Sequence, residues 1–434
     1  MTETNQKTVE HRRARVSQRL ESELRAGEAV LIWSGEPIQR PGGFDQTYLF
    51  LPHPSYFWIS GYRRPGGVMV YTLADGWKHF ITPVSRDERV WEGATEIADS
   101  SLSSIEELSA YLTKLRISTV INLGQNPGLA ALQTYQQSTE RDRVLRIAVD
   151  QIRRCKDAVE IKLIQSLADM ANAGFRTLRS RLRPGVSERA LQIEYEAEIQ
   201  RNGAQRTPYD TIIGTGSNAA ILHAIPTERV VRDGEMVLVD AGAEVDDYCV
   251  DVTRVYPANG EFSAQQKELY DIVLTAQLQA IAACRAGTEW HEVHRTSARV
   301  IAEGLKSWGL LRGSIDAILD SGAISVFYPH GVGHLVGLRV RDTGCEEVTT
   351  PKKYCGVKLR VDLKLCPDYL VTVEPGCYFI QALLSDADTR AAFKEWVDFD
   401  KAWALRDFGG IRIEDDVLIS SSGAPTVLTS VIEK

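Results

Sequence analysis

Two textures in one chain predict an α+β protein preceded by a smaller α/β domain. Over residues 1–150, short apolar strands alternate with helices, as in a small layered α/β domain. From Asp157 the texture changes. Long amphipathic helices come in pairs around long antiparallel strand patterns, which predicts a second domain over 157–434. A chain of 434 residues accommodates both with ample core.

The first domain opens with a charged helix over 8–26, its thin apolar stripe running through Val9, Val16 and Leu20. Ala29 to Trp33 reads as a short buried strand. The aromatic run Tyr48 to Tyr62 is broken by Pro52 and Pro54, which predicts loop and strand rather than one element. Strands follow at 68–73 and 79–82, then a helix over 104–115 and a strand over 119–123. The arginine-rich stretch 136–146 reads as the approach to a boundary.

In the second domain a helix over 157–181 is stopped by Pro184-Gly185, and another over 187–202 ends at Gly203. A third starts with the capping-box spacing Ser263…Gln266 and runs to Ala286; a fourth covers 290–308. Strands are expected at 209–213, 236–257 (a hairpin), 369–374 and 411–419.

Composition narrows the class. The net charge is −8 and no basic stripe is visible, which argues against a nucleic-acid partner. Seven scattered cysteines without a CxxC pair suit free thiols in a reducing compartment. No run of 18 apolar residues and no apolar leader is found, so a cytoplasmic protein with no membrane partner is expected.

The hairpin MVLVDAGAEVDDYCVDVTRVYP, Met236 to Pro257, carries the first chemical signal. Taking Glu244 to Asp247 as a four-residue loop pairs Ala243 with Tyr248 and sets Asp240 opposite Asp251. Like charges at roughly 5 Å destabilise a sheet unless a cation lies between them. A solvated acidic face serves that pattern as well, so later segments must decide. The Gly214-x-Gly216-x-x-Ala219 run is a tight turn rather than a dinucleotide fingerprint, because Pro226 denies it a full helix. His291 and His294 have i, i+3 spacing near a helix start, which suits solvated or capping histidines.

Three further segments are different. FYPHGVGH sets His330 and His334 around two glycines, which permit close ligand approach. LVTVEP places Glu374 at a strand end turned by Pro375-Gly376. GGIRIEDD puts Arg412 and Glu414 on one strand face, either as a plain ion pair or as a metal carboxylate steadied by arginine. Asp240, Asp251, His334, Glu374 and Glu414 together supply four carboxylates and one imidazole, enough for two cations of the manganese type.

In order and spacing, DAGAEVDDYCVDVTR, HGVGH, VEPGCYF and GGIRIEDD resemble the pita-bread metallopeptidase family, and within it the Xaa-Pro dipeptidases (prolidases) and aminopeptidases P. The resemblance covers about Asp157 to the C-terminus, and the 1–150 domain resembles the family's N-terminal (creatinase-like) domain. It implies two divalent ions per subunit, Mn2+ first with Co2+ or Zn2+ as alternatives, bound by Asp240, Asp251, His334, Glu374 and Glu414. A hydroxide bridging them would attack the carbonyl before proline. Glu374 would shuttle protons, while His223 and His330 would steady the oxyanion or the proline carboxylate. Arg360 would grip a dipeptide's C-terminal carboxylate, and Tyr209 and Arg412 would complete the substrate site from behind the metals.

One departure stands out. Where the family continues to Val-His-Asp, this chain has Val340-Arg341-Asp342. Arginine stays protonated and cannot serve as acid or base, but it can donate to an oxyanion or a substrate carboxylate. The reading is a cytoplasmic, homodimeric metallopeptidase that cleaves Xaa-Pro dipeptides. Its alternatives are an aminopeptidase P acting on longer peptides, and a weakened metal-binding relative.

Overall fold

In a computed structural model, described for residues 3–94, 97, 99, 101–125, 128–129, 132–347, 350 and 352–434, the chain divides into two compact units, Met1–Arg153 and Arg154–Lys434. The first unit is built on a five-stranded sheet. Its spatial order is Leu102–Ser104, Gly76–Ile81, Val68–Thr72, Glu28–Trp33, Thr119–Leu123. Glu28–Trp33 is an interior strand, buried throughout and apolar on both faces from Ala29 on, pairing antiparallel with Val68–Thr72 and parallel with Thr119–Leu123.

One expectation for this unit is corrected. The proline-broken aromatic run contains a helix, Pro54–Ser60. Pro54 takes a first-turn position where a missing N–H costs nothing, His53 accepts from the Ser55 N–H, and Gly61 ends the helix at φ 74°. The stretch 136–146 leads into the helix Thr139–Arg154, at whose end the two units divide. Leu145, Ala148 and Val149 give that helix a narrow buried stripe that its arginines obscure in the sequence.

The second unit carries the helix pairs Ala158–Arg181 with Glu188–Arg201 and Ala264–Ala283 with Trp290–Ser307. Asp157 and Ser263 close capping boxes with Glu160 and Gln266, which fixes two of the helix starts where the sequence places them. Ile212–Thr215, Met236–Ala241 and Val252–Pro257 form one antiparallel sheet; Leu370–Val373, Asp415–Leu418 and Thr426–Val427 form another. The segment 411–419 is not one strand. Gly410–Arg412 pairs with Gly376–Tyr378 and Asp415–Leu418 with Leu370–Val373, so the chain changes partners at Ile413-Glu414.

The hairpin register also differs from expectation. Its turn has two residues, Asp246 and Asp247, both at positive φ (51° and 66°), a conformation aspartate tolerates and tight hairpins require. Val245 pairs with Tyr248 and Asp240 with Thr253, so the ladder slips by two residues. An even slip preserves faces, and Asp240 and Asp251 remain on the same side as diagonal neighbours.

His294 is neither solvated nor capping. It is fully buried, with its ring 5.2 Å from that of Tyr328. Burial lowers its pKa to about 4. The unfolded chain therefore binds a proton here between pH 6.5 and 4 that the folded chain refuses, and stability falls as pH falls through that window. Relative to His294→Leu, the protein should lose about 3 kcal/mol between pH 7 and pH 4, read from urea midpoints. Parallel losses in both proteins would contradict this. Among the described residues no helix is long and apolar enough to cross a membrane, and all seven cysteines are free.

Candidate active site

Backbone pairing assembles the site from four separate segments. The loop after His330 runs beside the Leu370–Val373 strand: Thr372 N–H donates to His334 O (2.8 Å) and Glu374 N–H to Val332 O (2.8 Å). Gly333 is required at that approach, since a Cβ there would lie 2.0 Å from Thr372 O. These bonds bring His334 and Glu374 together. On the other side Glu414 N–H donates to Thr253 O (3.2 Å) and Asp251 N–H to Asp416 Oδ2 (3.2 Å), joining the hairpin to the final strands.

At the centre, Asp251, His334 and Glu414 each offer a ligand atom within 4.8 Å of the others. His334 donates from Nδ1 to Leu335 O (3.2 Å), which leaves a lone pair on Nε2. That nitrogen lies 3.6 Å from Asp251 Oδ2 and 3.8 Å from Glu374 Oε1. Burial is the main cause that lowers the His334 pKa to about 4, so no imidazolium proton relieves the contact. Burial, and then their neighbours' charge, pushes Asp251 and Glu414 far above the usual carboxylate range, and burial holds Glu374 at about 7. Two buried carboxylates and the half-buried Glu374 around a lone pair are costly alone and suit divalent cations with oxygen and imidazole ligands.

A layer of donors holds these groups from behind. Tyr209 Oη sits 2.7 Å from Asp240 Oδ1 and 2.5 Å from Asp251 Oδ1, spanning both aspartates with one phenol. Arg412, buried, donates to Asp240 Oδ2 (2.6 Å), Tyr378 Oη (2.9 Å) and Thr253 Oγ1 (3.2 Å). Thr253 in turn donates to Glu414 Oε2 (2.6 Å). Tyr209 and Arg412 thus hold carboxylates from behind, Arg412 also reaching Tyr378 and Thr253. His330 is also engaged: Nδ1 donates to Gly331 O (2.9 Å) and Nε2 accepts from Tyr378 (2.8 Å). Burial lowers the His330 pKa to about 3, so it stays neutral.

Every residue selected from the sequence lines one pocket of about 640 Å³: the five carboxylate and imidazole candidates with Tyr209, His223, His330, Arg341, Arg360 and Arg412. Sequence reasoning missed Thr253 and Tyr378. The correct hairpin register would have revealed Thr253, opposite Asp240. Tyr378 carried no signal beyond its place in VEPGCYF.

Residues 162–421 match metallopeptidase family M24, and residues 9–113 match the aminopeptidase P N-terminal domain. The chain belongs to metallopeptidase family M24. A protein of Ajellomyces capsulatus (strain H143), named "Probable Xaa-Pro aminopeptidase PEPP", is 32% identical to this M24 metallopeptidase over 92% of this chain and 90% of its own. A "Probable Xaa-Pro aminopeptidase pepP" of Neosartorya fischeri is 28% identical over 96% and 93%. Among solved structures, aminopeptidase PepP of Pseudomonas aeruginosa superposes with a TM-score of 0.78 at 26% identity, covering 97% of this chain and 96% of that one. Aminopeptidase P of E. coli with the inhibitor Pro-Leu gives 0.79 at 26% identity, covering 99% and 95%. The fold is accordingly the family's pita-bread α+β domain, preceded in the chain by its N-terminal domain.

Proposed function

We propose that this M24 metallopeptidase is an Xaa-Pro aminopeptidase that removes the residue before proline from peptides longer than dipeptides. The observation that carries this is the Asp251, His334 and Glu414 cluster on the wall of a pocket, in a chain whose relatives are named Xaa-Pro aminopeptidases. Those names favour the aminopeptidase alternative over the dipeptidase first expected. The organisation into a 1–150 domain and a 157–434 catalytic domain belongs to the same proposal.

Asp240, Asp251, Glu414, Glu374 and His334 would hold two divalent ions, with Mn2+ the best match to an oxygen-rich set. When bound, such ions acidify an attacking water and polarise the scissile carbonyl. Tyr209, Thr253 and Arg412 fix the carboxylates through the hydrogen bonds they already make. Glu374 takes the water's proton at a carboxylate oxygen and passes it to the leaving proline nitrogen. Arg341 holds substrate rather than protons, because it cannot titrate near neutrality.

Chelated protein should lose cleavage of Ala-Pro-Ala and regain it with Mn2+, while Ala-Pro is cleaved more slowly. Turnover that persists after complete metal removal would refute the mechanism, and faster Ala-Pro cleavage would refute the length preference. Arg341→His tests the departure. If the arginine serves this enzyme's own substrate, kcat/KM falls by about tenfold, the worth of one charged hydrogen bond. A gain would mean that the arginine impairs the chemistry.

A further inference from the structure

Most guanidiniums around the catalytic segments are paired. Arg206 lies on Asp247, Arg229 on Glu235, Arg254 on Asp415 and Arg412 on Asp240. Arg341, Lys358 and Arg360 are different. All three are exposed and line the pocket, and no side-chain hydrogen bond or ion pair ties any of them to another described residue. Among the described residues, Asp210 is the one carboxylate outside the central cluster that lines the same pocket.

Their orientation is built in. Val357, Leu359 and Val361 are buried while Lys358 and Arg360 alternate outward, so both cations are exposed on the segment that continues the strand Val357–Lys358. Leu359 backs that segment onto the His330 loop, where a Cβ on Gly331 would meet its Cδ2 at 3.1 Å. Arg341 is presented by its neighbour: Asp342 is locked inward by Lys156 Nζ at 2.8 Å, both side chains being 1% exposed.

We infer that Arg341 and Lys358, together with Arg360, make this pocket select peptides with more than one carboxylate on the proline side of the scissile bond. The inference rests on the Xaa-Pro function proposed for this site. Three cations exceed what one terminal carboxylate neutralises, and the two guanidiniums suit planar, bidentate recognition. A substrate's N-terminal ammonium would be repelled by them, so they face the leaving peptide. The substrate class is then Xaa-Pro-Glu or Xaa-Pro-Asp, which has an acidic side chain beside its C-terminal carboxylate. Arg341 and Lys358 are specificity-determining residues that the family pattern does not supply.

Product-type peptides separate the two carboxylates without any turnover. Pro-Glu, Pro-Gln, Pro-Glu-NH2 and Pro-Gln-NH2 carry both groups, the terminal one, the side-chain one and none. They would be titrated calorimetrically into the Mn2+-loaded full chain, its Arg341→Gln, Lys358→Gln and Arg360→Gln variants, and the triple variant. Each carboxylate should tighten binding about tenfold, with Pro-Glu tightest, and the gain should shrink at 0.5 M salt. Lys358→Gln and Arg341→Gln should each reduce the advantage of Pro-Glu-NH2 over Pro-Gln-NH2. Affinities of Pro-Glu-NH2 and Pro-Gln-NH2 within twofold of each other would overturn the inference, as would a discrimination that survives the triple variant. A terminal-carboxylate effect alone would reduce the three cations to a single-carboxylate clamp and equally refute it. If the binding pattern holds but no Xaa-Pro peptide is cleaved, the proposed function fails, and what survives is recognition of two carboxylates by the three cations, without its place on the leaving side. Cleavage of Xaa-Pro peptides without the binding pattern leaves the proposed function intact and overturns the inference.

Discussion

Asp251→Asn should stabilise the metal-free protein while abolishing its stabilisation by Mn2+. Asp251 is 5% exposed, its Oδ2 faces the His334 lone pair at 3.6 Å, and Asp240 shares the Tyr209 hydroxyl with it. Without cations its ionisation is opposed by burial and then by Asp240 and Asp416. A carboxyl whose folded pKa is raised binds its proton more tightly in the folded state, so stability falls as pH rises above the unfolded value near 4. Asparagine keeps the shape and an acceptor for Tyr209 but removes the charge. The gain should be near zero at pH 4 and grow to about 1–3 kcal/mol at pH 8. With saturating Mn2+ the order reverses, because the unmodified protein gains RT ln(1 + [L]/Kd) and the variant loses most of it. Thermal melts of both proteins across that pH range, with and without Mn2+, check this. A metal-free variant that melts lower at pH 8 would show that the cluster is not an electrostatic cost awaiting a cation.

The largest stability loss is expected from Arg254→Met. Arg254 is fully buried and donates to Glu414 O (2.6 Å), Ile432 O (2.7 Å), Glu433 O (3.0 Å), Thr253 O (3.0 Å) and Asp415 Oδ1 (2.8 Å). One side chain thus fastens residues 432–433 to the backbone of a candidate ligand. Removing it strands Asp415 with Lys434 Nζ (2.8 Å) as its remaining cation and orphans several carbonyls. Breaking a buried pair in this way costs about 3–5 kcal/mol. Arg254→Met/Asp415→Leu should recover part of that loss, because the stranded charge is gone, though the carbonyls stay unpaired. Mn2+ affinity should fall in both variants, since Glu414 is no longer held from behind. A loss below 1 kcal/mol in Arg254→Met would refute the latch.

Much of the candidate site is legible in the sequence because its signals are local. Strand alternation has a period of two, so the hairpin sequence places Asp240 and Asp251 on one face whether the turn has four residues, as expected, or two, as found. Helix starts at Asp157 and Ser263 are equally readable, since a capping box lies within four residues. The Pro54–Ser60 helix is hidden because two prolines suggest a break when one of them begins the element.

What the sequence by itself determined is which residue types occupy each face and turn, because those choices rest on neighbours a few positions away. Tertiary structure alone decided what meets what. Thr253 reaches Glu414 across 161 positions, Arg412 reaches Asp240 across 172, and Arg254 reaches Ile432 across 178. His294 fills core space that its charged neighbours in the chain gave no hint of. Arg341, Lys358 and Arg360 were visible as cations, but only the fold shows them lining one pocket with no ion-pair partner among the described residues. Charge pairing is a property of distance in space, and no local pattern encodes whether a partner arrives.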